Sequence, residues 1–398
     1  MPNTMNYEDI HAVANAILEN AQGGTVDVNY SDFVTVADTA LKTGYDPLAT
    51  AISQVLSKTI FSYRPYSRKF KGLYLDSIRW GNHVRKLNPI DKELEKDNRF
   101  YDEAGNLLTD GSTIDQYKIN KPEVVQTNFY GADTYQKSMT VFKDQLDNAF
   151  TNEAELGNFL SMVMGNATDQ LEQAREDLAR ATVVNLIGAT VKTGRVIHLL
   201  TEYNTETGET FTKEDIMKPA NFKPFFQWVY AKIQTTIDSM TERTYMYHVN
   251  PKVGGVEKKI RRHTPIEKQH LYMLAPFINK SETMAIAETF HNDYLDKMDY
   301  EKLNFWQYAN TPGNIKAKVS YLNAGGEETD SAIVEEAFED NNIVGVLFDE
   351  DAAGVTLVNQ WSMNTPFNAK GGYYNTFWHE TARFYNDTTE NAIVFALD

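Results

Sequence analysis

Residues Asn152–Ile187, NEAELGNFLSMVMGNATDQLEQAREDLARATVVNLI, decide how the rest of the chain is read. Leu156, Leu160, Val163, Ala167, Leu171, Ala174, Leu178 and Ala181 recur every three or four residues, which places them on one stripe of an α-helix. Asn152 suits the N-cap, and Glu155 three residues on completes a capping box. Glu176 stands four residues before Arg180, the favourable order for a helical ion pair. No proline interrupts the run, and Gly188 falls where a C-cap is expected. At the α-helical rise this segment is about 54 Å long, more than the interior of one compact domain. Such a helix suits a backbone on which sheets are laid, in an extended subunit made for assembly. A helix of an ordinary α-helical enzyme domain is the plainer alternative.

The whole chain, 398 residues with 42% hydrophobic and 23% charged residues, has room for a substantial core and two or more domains. It contains no run of eighteen apolar residues and no signal-peptide pattern at its start, so no membrane span is expected and synthesis in a cytosol is the simplest inference. The absence of cysteine removes disulfides, thiolate catalysis and cysteine metal sites.

A net charge of -17 argues against a general nucleic-acid-binding module. Its distribution says more. Arg64 to Arg99 holds ten basic residues against five acids, whereas Glu327 to Asp398 holds fourteen acids against Lys370 and Arg383. Opposite charge on separate parts of a chain suits docking between copies; two solvated faces that never meet are equally compatible with it.

Ahead of the long helix, 6–21, 31–42 and 47–57 read as short helices, an N-terminal arm that packs on something else. Residues 61–90, FSYRPYSRKFKGLYLDSIRWGNHVRKLNPI, alternate large apolar and basic side chains. Residues 97–124 follow with Ala-Gly-Asn and Asp-Gly turn signals. Together they suggest a long two-stranded excursion with a loose tip, marginal without a partner surface. After Gly194 the order is strand-like 195–204, polar turns at 209–216, helix 222–239, strand 269–278, helix 280–295 and strand 314–322. A buried strand then leads into a turn or small helix over 341–358, and strands at 373–385 and 391–397 are split by the polar turn NDTTE. The mix is α+β.

No phosphate loop, dinucleotide fingerprint or Gly-x-Ser-x-Gly elbow is present. His379-Glu380 approaches a zinc-protease helix, but Arg383 stands where the second histidine is required. The other histidines, His11, His83, His198, His248, His263, His270 and His291, are too scattered to pair as metal ligands. Acids at Glu335–Asp340 and Asp349–Asp351 lack the spacing of a calcium loop and read as solvated faces. The basic run 258–263, KKIRRH, could touch phosphate, with an intersubunit ion pair preferred. Aromatic density between Phe61 and Trp80, inside a basic stretch, favours an interface. Catalytic, cofactor and metal sites are therefore not expected.

Residues 124–188, VVQTNFYGADTYQKSMTVFKDQLDNAF running into the long helix, together with NNIVGVLFDEDAAGV (341–355) and FYNDTTENAIVFALD (384–398), resemble the major capsid proteins of tailed bacteriophages. The resemblance implies an α+β, HK97-like capsid fold: an N-terminal arm (1–60), an extended β-hairpin loop (61–125), a peripheral domain with a spine helix (126–195), an axial domain (196–342) and a returning β segment (343–398). It further implies a non-enzymatic subunit that assembles as hexamers and pentamers into an icosahedral head around double-stranded DNA. That head would be a virion capsid made in the bacterial host cytoplasm, with portal and scaffolding proteins as partners and neither cofactor nor membrane. The short stretch ahead of the loop leads us to expect a separate scaffolding protein and no covalent cross-link. An encapsulin-type compartment and a soluble cytoplasmic hydrolase are the alternatives. Arg64, Arg68, Tyr74, Arg79, Trp80, Arg85 and Lys86, with Leu73 and Ile78 adding apolar area, are the expected seam residues of the extended loop.

Overall fold

The computed structural model describes residues 69–75, 84–91, 94–102, 104–115, 117, 119, 121–143, 153–286, 300–324 and 330–398. Within these the side chains of 153–165, 167, 168 and 281–286 lie outside the description, as do Asn152 and its cap. The chain forms two compact units, one of residues 1–81, 131–180 and 355–384, the other of 82–130, 181–354 and 385–398.

In chain order the strands of the first half are β1 (Tyr74–Leu75), β2 (Val84–Pro89), β3 (Val124–Phe129) and β4 (Ala132–Phe142). Helix α1 (Glu153–Lys192), β5 (Val196–His198), α2 (Leu199–Thr207), α3 (Lys213–Ile216) and α4 (Pro219–Met240) follow. Next come β6 (Lys252–Val253), β7 (Val256–Glu257), β8 (Gln269–Leu274), α5 (Ala275–Ile286) and β9 (Glu301–Leu303). The chain then runs through β10 (Ile315–Asn323), β11 (Ala332–Asp340), β12 (Ile343–Asp349), β13 (Ala353–Asn364), β14 (Tyr373–Asn386) and β15 (Ala392–Ala396).

The expected long helix is present and longer than read, 40 residues. Two details differ. Gly188 does not end it: a Cβ there would lie 2.5 Å from Val319 and 3.0 Å from Phe338, so glycine lets the β10–β11 ribbon approach the helix, and Gly194, in the left-handed region at φ 77°, stands beyond the true end. The buried stripe is also rotated. Leu171 is buried, Ala174 and Leu178 are half-buried, and Ala181 is exposed. Glu172, Arg175, Glu176 and Arg180 are buried in their place. Periodicity counts apolar residues and misses a buried face carried by mutually neutralising charges.

In the first unit a four-stranded sheet has the order β1-β13-β14-β4. β14 alternates buried and half-buried positions along most of its length, as a strand with one core face must. Its buried parity includes Tyr374, Thr376, Trp378, Glu380 and Ala382. Glu380 therefore falls on the core face, where a carboxylate needs partners. Arg175 of α1 supplies them, with Nε donating to Oε1 (2.8 Å) and Nη2 to Oε2 (2.6 Å). Tyr135 of β4 and Gln360 of β13 donate to the same carboxylate, and Glu172 takes a third Arg175 donor. One guanidinium thus ties the helix to three strands. Burial, followed by the Glu380 charge, raises the pKa of Tyr135.

Segment 69–75 is pinned to this unit by buried Phe70 and Leu73. The Phe70 ring lies 5.2 Å from the Arg180 guanidinium, and its backbone holds a left-handed φ of 62°. Arg180 also makes the expected pair with Glu176, at 2.7 Å.

The second unit carries a five-stranded sheet, β5-β15-β12-β8-β9, covered by α2, α4 and α5. Phe222, Phe225, Val229, Ile233 and Met240 recur at helical spacing on α4 and are buried. Each fully buried large side chain of this kind contributes about 1.5–3 kcal/mol. Segment 195–204, expected as strand, is only three residues of strand before α2 begins, and α5 starts inside the expected strand 269–278. The turn or small helix expected within 341–358 is a turn followed by β13. Acidic 335–340, expected as a solvated face, is strand β11, whose Glu335, Glu336 and Glu339 pair with Lys318, Lys192 and Lys316.

Candidate functional site: the hairpin excursion and its root

β2 and β3 form a six-pair antiparallel ladder, Val84 opposite Phe129 through Pro89 opposite Val124. It closes the base of the expected excursion. Alternation sorts its two adjacent cations: Arg85 faces solvent with Leu87, whereas Lys86 turns inward with fully buried Asn88.

Beyond the ladder, the neck is fixed to its own unit. Asp91 pairs with Arg243 (2.5 Å) and accepts from the Arg261 backbone, while Glu123 pairs with Lys258 (3.0 Å). Past the neck the excursion turns out apolar side chains: Leu94, Phe100, Leu107, Tyr117 and Ile119 are 60–100% exposed. The basic balance stops at the root, since residues 90–123 hold nine acids and five bases.

The inward side of the root meets the segment read from sequence as a polar turn. Asp387, Thr388, Thr389, Glu390 and Asn391 are each at most 4% exposed. Lys86 Nζ lies 3.1 Å from Asp387 Oδ2, contacts Glu390 Oε1 and donates to the Asp351 carbonyl. Arg262 reaches Glu390 at 3.0 Å and donates to the Thr389 carbonyl. Arg195 donates to the carbonyls of Thr388 and Tyr247, and burial pulls its pKa down to about 10. His248 bridges Asn391 and the Ile260 carbonyl, and burial lowers its pKa. Burial pushes Glu390 up to about 7 despite Lys86 and Arg262, and raises Tyr385, helped by the neighbouring carboxylates.

Of the expected seam residues, Arg64, Arg68, Arg79 and Trp80, with Ile78, lie outside the described residues. Tyr74 is half-buried, its hydroxyl donating to the Arg175 carbonyl, and Leu73 is in the core. Lys86 is held within its own chain and Arg85 is exposed. The basic run 258–263 also has partners in its own chain: Glu123 for Lys258, Tyr245 for Arg261 and Glu390 for Arg262. His379 stacks on Trp361 at 3.9 Å. Among the described residues no group of three or more His, Asp or Glu could hold a metal ion, and no helix is long and apolar enough to cross a membrane. The Asp387–Asn391 cluster was missed because NDTTE has turn composition; the signal available was its place between two apolar strands, too short to leave the core.

Residues 10–396 match the family model of the phi29-like phage major capsid protein. The chain belongs to that family. A search of curated proteins finds no match. Among solved structures, the capsid of Staphylococcus phage Andhra aligns at a TM-score of 0.52 and 10% identity, covering 83% of this chain and 84% of that one. A chain in the head-fiber and inner-core-protein structure of bacteriophage P68 aligns at 0.50 and 11%, covering 83% and 85%. The capsid protein therefore has the α+β, HK97-like fold, and family membership makes it a major capsid protein of a tailed phage.

Proposed function

We propose that this capsid protein closes, as rings of six and five copies, into an icosahedral head around double-stranded DNA. Portal and scaffolding proteins are its partners, synthesis is in the bacterial host cytoplasm, and it catalyses no reaction. In this reading residues 1–60 are an N-terminal arm and 61–125 the extended loop laid across a neighbouring copy. Residues 126–195 are the peripheral domain, 196–342 the axial domain and 343–398 the returning segment.

The excursion carries the reading. Contiguous exposed apolar side chains on a soluble subunit mark an association surface. Here they sit on a neck held at both ends by ion pairs, so the tip is presented at a fixed place. Its acidic balance, with the apolar residues, fits a neighbouring surface that is apolar and basic. Replacing residues 94–119 by a short Gly-Ser linker tests it. The subunit should keep its circular dichroism and yield no shells by electron microscopy; normal shells from that variant would sink the proposal.

A further inference from the structure

The root of the hairpin covers a carboxyl group that its surroundings do not fully neutralise. Around Glu390 stand Lys86 of β2, Arg262, and Arg195 of the segment between α1 and β5, against Asp387, Asp349 and Asp351 besides Glu390 itself. Asp349 is engaged by the Thr264 hydroxyl at 2.6 Å, and Glu350 beside it pairs outward with Lys268. His248 and Tyr385 complete the ring of titratable groups. Four carboxylates thus share three cations in a place from which water is excluded. Lys86 lies directly over Glu390, so lifting β2 admits water to that side chain.

We propose that β2 is a proton-dependent lid: the hairpin root stays seated while Glu390 keeps its proton and loosens once Glu390 has given it up. This does not depend on the shell reading, because every group in it belongs to one chain. The direction follows from linkage. With β2 seated, Glu390 holds its proton up to about pH 7, whereas a solvated glutamate releases it near 4.5. The open form therefore binds fewer protons between those values, and raising the pH favours opening. Opening should increase about tenfold per pH unit across that window, roughly 300-fold in all, and level off above pH 7. The Lys86–Glu390 contact taken alone suggests the opposite slope, a root tightening as the carboxylate ionises.

Hydrogen–deuterium exchange of the full-length unassembled subunit between pH 5 and 8.5 decides between the two. Peptides covering β2 and β3 are normalised to intrinsic exchange and compared with a peptide from α4. The wild type should lose root protection up to pH 7 and then plateau, while α4 stays flat. Glu390→Gln should remain protected with no slope. Lys86→Met, which removes a charge favouring ionisation, should carry the slope past pH 7. A wild-type root whose protection rises with pH, or a slope unchanged in Glu390→Gln, would overturn the proposal.

Discussion

Replacing Glu380 by glutamine keeps the shape of the side chain and removes its charge. Arg175, 7% exposed, would then face an amide that cannot neutralise it, with only Glu172 left, at 2.5 Å. Two charge-assisted hydrogen bonds are lost at about 1.5–3 kcal/mol each. Breaking one side of a buried pair costs about 3–5 kcal/mol. With Glu172 retaining part of the attraction, the expected loss is about 3 kcal/mol, more than a hundredfold in the folded population. The two compact units need not unfold together. Urea unfolding of the unassembled subunit should therefore be followed by exchange of the β4 and β14 amides, which report the unit concerned. A double-mutant cycle with Arg175→Met and Glu380→Leu should show coupling above about 1.5 kcal/mol, because paired apolar replacements relieve the isolated charge. A single-mutant loss under about 1 kcal/mol, or additive effects in the cycle, would refute the view that this guanidinium ties α1 to the sheet.

Other perturbations have equally definite outcomes. Gly188→Ala gains helix propensity of about 1 kcal/mol, yet its Cβ would meet Val319 and Phe338; a lowered melting temperature is expected, and a raised one would show that the ribbon can move aside. Phe70→Ala should destabilise by about 3–4 kcal/mol and open residues 69–75 to limited proteolysis; an unchanged digestion pattern would show that Leu73 alone holds the segment. Arg85→Glu reverses an exposed root charge and should impair shell formation while the subunit melts normally; unimpaired assembly would remove Arg85 from the seam.

Fold class was legible because long periodic segments carry strong signals. α1, α4, β10, β14 and β15 lie close to where spacing placed them. Boundaries failed where one apolar run served two elements: in QHLYMLAPFI nothing local marks the change from β8 to α5, since the burial that matters is set by α4 and β12. The site was less legible. Charge composition could not show that adjacent Arg85 and Lys86 point opposite ways, although strand parity could have done so once β2 was assigned. Glu380 was recoverable by the same parity. Glu390 was not, because its burial depends on β2, β12 and the Arg262 segment converging from distant parts of the chain.

The topology also sets a timetable. β15, residues 392–396, lies inside its sheet, parallel to β5 and antiparallel to β12, while β1 near residue 74 finds its partner at Val355. Neither sheet can close until the ribosome has passed these late strands, tens of seconds after starting at ordinary elongation rates. Pairings so distant in sequence are also slow to form. A nascent or prematurely ended chain therefore lacks the central strand of one sheet and is withheld from association, so only fully translated copies become building blocks.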